Sequence, residues 1–217
     1  MDSYKKIAII VAHPDDEILW AGGTILNHPE WRCFIVSLCR KSDPDRAPKF
    51  SRVLKDLNAE GIMGDLNDGP EQFPLNGNDV EDTIMSLLPA MNYDLIISHH
   101  PKGEYTSHLR HTEVSRAVIN LWNAGQIKAH ELWLFAYEDG KRQYFPIPIK
   151  RADLYFPLAV DIWQHKYDIM TKIYGYGKDT WESQSTPKDE AFWQFTDSGK
   201  ALNWLKSQEN NESISVI

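Results

Sequence analysis

The chain has 217 residues, of which 42% are hydrophobic and 25% charged, and its net charge is −8. That is ample material for one sizeable core, with the balance of an ordinary soluble globular protein. The acidic excess argues against nucleic acid and anionic membranes as partners, and no apolar stretch approaches the roughly 20 residues that cross a bilayer.

The first residues lack the apolar region and small-residue cleavage site of a secretory signal, so the expected location is cytoplasmic. Ile7–Val11 is a continuous apolar run, the pattern of a strand covered on both faces. Asp16–Asn27 reads as a helix that buries Ile18, Leu19, Ile25 and Leu26. Phe34–Leu38 is a second strand, flanked by Cys33 and Cys39. Six extended residues hold these thiols about 20 Å apart, beyond the roughly 7 Å that a disulfide spans. Both are expected to be reduced, and Cys39, at the strand end, is a candidate to line a site. Lys49–Glu60 reads as a helix stopped by Gly61, with a short third strand over Gly61–Leu66. Val80–Leu88 is helical and ends before Pro89, and Tyr93–Ser98 is a fourth strand. Val114, Ala117, Val118, Leu121 and Trp122 repeat at helical spacing, with Ser107 as the expected N-cap. Leu132–Tyr137 and Tyr155–Val160 read as strands, and Asp161–Tyr174 and Asp189–Trp204 as closing helices.

Strands alternating with helices predict an α/β fold: a Rossmann-like open, mainly parallel sheet with helices on both faces. No internal repeat or linker divides the chain. One domain is expected over residues 1–206, followed by a polar, flexible tail over 207–217. In such a sheet, ligands bind beyond the carboxyl ends of the strands. His13–Asp16, Asp43–Arg46, Asp68 and His99–His111 all fall in loops that should gather at that rim.

The most informative segment is Ala12-His13-Pro14-Asp15-Asp16-Glu17, directly after the first strand. His13 and Asp16 are three residues apart across a strand-to-helix turn, and Pro14 suits a turn or first helical position. His108 and His111 repeat that spacing ahead of a later helix, where both face one side of its first turn. His13, Asp16 and His111 would give a zinc ion three ligands and leave the fourth position to water, the arrangement of a catalytic site. The plainer alternatives are a capped turn for the first segment and ordinary packing for the histidine pair. His99 and His100 are rival ligands after the fourth strand.

On these motifs the chain resembles the LmbE-like, or PIG-L-like, de-N-acetylases. Those zinc enzymes share the AHPDDE segment after the first strand and a downstream HPDH or HxxH motif. Here the second motif reads His108-Leu109-Arg110-His111. The resemblance covers about residues 5–140. It implies His13, Asp16 and His111 as zinc ligands, Asp15 as general base and His108 as the group facing the developing oxyanion. Tyr105 is a candidate for the tyrosine that assists in some relatives, one residue off its usual spacing. Leu109-Arg110 replaces the family's Pro-Asp, so Glu113 or Glu104 would have to orient a ligand ring in place of that aspartate.

The implied activity is deacetylation of an N-acetylated sugar, such as an N-acetylglucosamine derivative, or a related small molecule. Zinc lowers the pKa of bound water from 15.7 toward about 7. Asp15 would take the water's proton, and protonated His108 would stabilise the oxyanion. Asp15, Tyr105 or His108 would return a proton to the leaving amine. Fe2+ or Co2+ would also suit such a site. Arg46 and Arg110, with Lys49 and Lys102, are candidates to bind an anionic part of the substrate, or are simply solvated. Asp68 would accept hydrogen bonds from sugar hydroxyls, or form an ordinary turn. Trp181 would stack on a sugar ring, or serve packing. A metal-dependent esterase or phosphoesterase and a catalytically idle sugar-binding module are the competing readings. The oligomeric state, including a homo-oligomer, is left open.

Overall fold

Ile7–Val11 is fully buried because alternate side chains enter two separate cores. Ile7, Ile9 and Val11 enter one, Ala8 and Ile10 the other. Two-sided burial is what a continuous apolar run demands of a central parallel strand. In the computed structural model, which describes residues 4–105 and 108–214 (without the side chains of 210–214), this strand is β1, Lys6–Val11. β2 (Arg32–Ser37), β3 (Glu60–Met63), β4 (Asn92–Ser98) and β5 (Lys128–Phe135) follow in the chain. All five run parallel. A small separate ribbon, β6 (Tyr137–Glu138) with β7 (Ile147–Pro148), precedes β8 (Leu154–Pro157) and β9 (Asp189–Phe195). The sheet has seven strands in the order β3-β2-β1-β4-β5-β9-β8, and β9 is antiparallel to both its neighbours.

The helices cover both faces. α1 (Asp16–Leu26), α2 (Arg46–Asp56) and α5 (Val160–Asp168, extended by a π-helical turn over Ile169–Ile173) flank the Ile7 side. α3 (Gly77–Leu87), α4 (Leu109–Asn123) and α7 (Ser198–Ile214) flank the Ala8 side. A short α6 (Trp181–Ser185) lies between α5 and β9 in the chain. This is the single-domain, mainly parallel α/β architecture expected. Among the described residues no helix is long and apolar enough to cross a membrane. Cys33 and Cys39 are free and buried, and burial pushes both thiols up to about 12.

Several elements differ from the sequence reading. Asp189–Trp204 is not one helix. Its first part is β9, whose Phe192, Trp193 and Phe195 face Phe135, Leu134 and Leu132 across the ladder. Cross-strand aromatic pairing overrides the helical spacing there. The helix starts only where Asp197 accepts a hydrogen bond from Lys200 N–H at 2.8 Å. It then continues through residue 206 to Ile214, so the expected tail boundary falls inside a helix. Gly61 does not end α2. That helix stops near Asn58, which takes the left-handed φ of +50°. Gly61 instead lies within β3, where a Cβ would meet the Ile35 carbonyl oxygen at 2.4 Å. The expected N-cap, Ser107, lies outside the described residues, and His108 occupies the N-cap position of α4.

A buried ion pair ties α1, α5 and β9 together. Lys166 Nζ lies 2.7 Å from Glu190 Oε1, and both side chains are fully buried. Gly23 N–H, Thr24 N–H and the Thr24 hydroxyl also donate to the Glu190 carboxylate, at 2.7, 2.6 and 2.6 Å. Removing one member of such a pair strands the other charge in a medium that cannot solvate it. Glu190→Gln is therefore expected to cost about 3–5 kcal/mol in urea unfolding. A cost within the roughly 1 kcal/mol of a surface pair would contradict this reading.

Candidate metal centre and catalytic cleft

The chain runs from β1 to β2 and β3 on one side, then returns to place β4 on the other side of β1. The crevice between β1 and β4 is thus the switch point of the sheet, where ligands bind in open α/β folds. His13 leaves the end of β1 there, and His99 leaves the end of β4. The two segments are joined by the Ala12 N–H, which donates to His99 Nε2 at 2.9 Å.

Three donor atoms converge in this crevice. His13 Nδ1 lies 3.2 Å from Asp16 Oδ2 and 3.3 Å from His111 Nε2. His111 Nε2 lies 3.4 Å from Asp16 Oδ2, closing the triangle. Atoms bonded to a tetrahedral ion at about 2.0–2.1 Å stand about 3.3–3.4 Å apart, so this donor set fits zinc. Burial alone would raise the Asp16 pKa, but His111, and after it the hydrogen bond to His13, outweigh it and hold the carboxyl well below its usual range. Trp20 Nε1–H donates to Asp16 Oδ1 at 3.2 Å, fixing the carboxylate's other oxygen.

The rival histidines have other employment. His99 Nε2 lies 3.5 Å from Asp16 Oδ2, but it already accepts the Ala12 N–H. Burial lowers the His99 pKa, and the Glu104 and Asp16 carboxylates reverse this and draw it up to about 9. The Ala12 N–H nonetheless requires a lone pair on Nε2, and this geometry is the stronger constraint: the ring is neutral. His100 turns away, accepting Lys102 N–H at 3.0 Å and setting its ring on Trp204 at 5.1 Å. Glu104, fully buried, lies 2.6 Å from His111 Nδ1 and 3.0 Å from His99 Nδ1. Its carboxylate thus contacts both rings through Nδ1. Glu113 does not, because it pairs with Arg110 and accepts Leu75 N–H.

Asp15 and Asp16 are adjacent but differ in every contact. Asp15 is the N-cap of α1 with φ of +129°, a conformation that L residues rarely adopt. Its carboxylate accepts from Arg46 Nη1 at 3.1 Å and from the Tyr176 hydroxyl. Arg46 also bonds Tyr176 and lies over its ring, 4.8 Å from the centroid. Burial, then Asp16 beside it, pushes Asp15 up to about 7, against the pull of Tyr176 and Arg46.

A cleft of about 350 Å³ opens over these groups. His13, Asp15, Asp16, Tyr105, His108 and Arg46 line it, with Asp68 and Trp181. His108 stacks on His111 at 4.3 Å. Burial, then the neighbouring His111 and His13 rings, push it down to about 3, a direction that opposes the protonated form expected from the sequence. Tyr105 sets its ring 5.6 Å from His108 and 4.7 Å from Trp181.

Of the expected substrate residues, Arg110 serves the protein instead, and Arg46, though in the cleft, is engaged by Asp15 and Tyr176. Arg110 is buried, and its guanidinium donates to the Asn67 and Phe73 carbonyls at 2.7 and 2.6 Å, clamping that loop onto α4. Asp68 reaches the cleft but pairs with Arg40 at 2.5 Å and approaches His13 Nε2 at 3.3 Å. Lys49 pairs with Asp45 at 2.6 Å, Lys102 is exposed, and Cys39 is buried away from the cleft lining. Tyr176 and Arg40 escaped the sequence reading. Neither has a local spacing to the motif; Tyr176 lies 161 residues from Asp15.

Residues 8–122 match a family model described as PIG-L, GlcNAc-PI de-N-acetylase. Uncharacterized protein L374 of Acanthamoeba polyphaga mimivirus is 21% identical over 182 residues, covering 77% of this chain and 75% of that protein. N,N'-diacetylchitobiose deacetylase from Pyrococcus horikoshii has a similar structure, with TM-score 0.64 and 15% identity over 88% of this chain and 84% of that one. So has GalB, the 4-carboxy-2-hydroxymuconate hydratase of Pseudomonas putida KT2440, with TM-score 0.59 and 14% identity over 89% and 97%. At such identities the structural likeness is one of fold, and that fold carries both activities.

Glu104 meets His111 at Nδ1, and Nε2 of that ring faces His13 and Asp16. Glu104→Gln is expected to weaken zinc binding about 10- to 100-fold, measured by competition with a chromogenic chelator. Unchanged affinity would contradict this.

Proposed function

This chain belongs to the PIG-L family, and from that membership we propose that it is a zinc-dependent hydrolase that removes the acetyl group from an N-acetylated sugar or related small molecule. The observation that carries the reading is the contrast within Asp15-Asp16. One carboxylate completes a donor triangle of zinc dimensions, and the next is held beside it by Arg46 and Tyr176. A purely structural site has no use for the second.

In this reading His13, Asp16 and His111 hold the ion, which when bound polarises the acyl carbonyl and makes a bound water more acidic. Asp15 takes the proton from the attacking water. A base at about 7 can both accept and return a proton near neutral pH. Arg46 and Tyr176 fix the direction from which Asp15 acts. Tyr105 keeps its hydroxyl proton, because burial, then the Asp16 and Glu104 carboxylates, push its pKa well above the ordinary range. Tyr105 and neutral His108 are the donors on the cleft wall for the acetyl oxygen as charge builds on it. Protonated Asp15 then passes its proton to the departing amine, completing acetate and a free amine. The polar cleft walls, with Arg40, Asp43 and Glu182, suit a hydroxyl-rich ring.

The fold shared with a hydratase favours one second reading, addition of water across a carbon–carbon double bond by the same base and ion. Acetate release separates the two. The metal-loaded protein is expected to release acetate and a primary amine in equal amounts from an N-acetylated glycoside in a screened panel. Asp15→Ala should slow that turnover by about 10²–10⁴-fold and keep near-stoichiometric zinc by elemental analysis. His111→Ala should lose the zinc. An Asp15→Ala protein without metal, or a His111→Ala protein with full metal, would contradict these roles.

A further inference from the structure

The cleft does not end at the metal ligands. A second cavity of about 580 Å³ adjoins it, lined by Tyr105, Gln143, Tyr144, Phe145, Pro146 and Trp181. Tyr105 and Trp181 line both cavities. Their rings meet at 4.7 Å and 59°. The chemistry changes across that pair. On the ligand side the walls carry Asp15, Asp43, Asp68, Arg40, Arg46 and Glu182. On the far side Tyr105, Tyr144, Phe145, Trp181 and Pro146 give an apolar majority. Asp139 and Arg142 complete the far lining, and each has partners within the protein.

The loop that presents this lobe is a built feature. Gly140, Lys141 and Arg142 take φ of +57°, +59° and +68° in succession. Gln143 and Tyr144 N–H groups both donate to the Asp139 carbonyl, at 3.0 and 3.2 Å. A Cβ on Gly140 would meet the Tyr144 ring at 2.3 Å, so the missing side chain is what lets that ring lie against the turn. The result leaves Tyr144 44%, Phe145 42% and Trp181 37% exposed around one cavity. Clustered exposed aromatics of this kind mark ligand or partner sites. The cavity volume is in the range that holds ring-sized groups.

We propose that this lobe binds an apolar, ring-bearing group of the substrate. The substrate is then amphipathic: an N-acetylated polar head lies at the metal ligands, and an aromatic or alicyclic group lies beyond Tyr105 and Trp181. This rests on the deacetylase reading for the position of the head. Continuity with the cleft fixes the occupant as part of the same molecule.

The test uses the zinc-loaded full chain carrying Asp15→Asn, which prevents turnover. Calorimetric titration compares the 2-naphthyl and methyl glycosides of N-acetylglucosamine. The naphthyl compound is expected to bind at least about tenfold more tightly. That advantage should fall below about threefold when Tyr144→Ser or Phe145→Ser is added, both at exposed positions. Equal affinities, no measurable binding of the naphthyl compound, or an advantage that survives both substitutions would overturn the proposal. Acetate release by the unsubstituted protein is scored separately. A naphthyl advantage without acetate keeps the lobe and removes the deacetylase reading, and acetate without a naphthyl advantage does the reverse.

Discussion

Glu104 Oε2 accepts hydrogen bonds from His111 Nδ1 and His99 Nδ1 together, while Oε1 accepts the His100 N–H at 2.9 Å. Burial alone would raise the Glu104 pKa, but the two rings reverse that and hold the carboxyl below its usual range. An ionised carboxylate out of water must have its lone pairs filled, and these donors fill them. The consequence reaches both rings. Each is left with a lone pair on Nε2 and a fixed plane, and the rings stack at 4.0 Å. Ala12 N–H consumes the lone pair of His99, which makes that ring a strut between β1 and β4. The lone pair of His111 remains, aimed at His13 and Asp16. One carboxylate thereby holds two equivalent-looking histidines, one with its Nε2 lone pair committed to the backbone and one with it open.

The sheet supplies the rest of the geometry. β1 and β4 lie side by side because the chain reverses its direction of winding at β1. Their ends bring residue 13 to the loop that carries residues 99 to 111. α1 begins at the site itself, so Asp15 and Asp16 stand at its N-terminus, where the helix dipole favours negative charge. Fold alone does not choose the chemistry here, as the likeness to a deacetylase and a hydratase makes plain. The choice falls to the residues of the crevice, and it is the family membership that supports hydrolytic de-N-acetylation.

Legibility in the sequence followed range. β1 and the AHPDDE turn could be read because their apolar run and spacing are local properties. The His108 and His111 pair could be read for the same reason. Glu104 was visible as a candidate only because the second motif lacks its aspartate. Tyr176 was invisible, since a π-helical turn and Gly175 deliver it from the far end of the chain. Charge alone misled at Arg110. A charged residue near a motif reads as substrate-binding, yet Arg110 is spent on holding the loop over 67–73. The β9 segment misled because its strand identity rests on pairing with β5, a contact that local spacing does not carry.

X-ray absorption at the zinc edge, on the metal-loaded protein and on its His99→Gln and His111→Gln variants, tests the assignment most directly. The expected first shell contains two imidazole nitrogens and a carboxylate oxygen at about 2.0–2.2 Å, with the fourth position held by solvent. Changing residue 99 should leave both imidazoles in place, and changing residue 111 should remove one. The opposite outcome, an imidazole lost only with residue 99, would mean that the two stacked rings have been assigned the wrong way round.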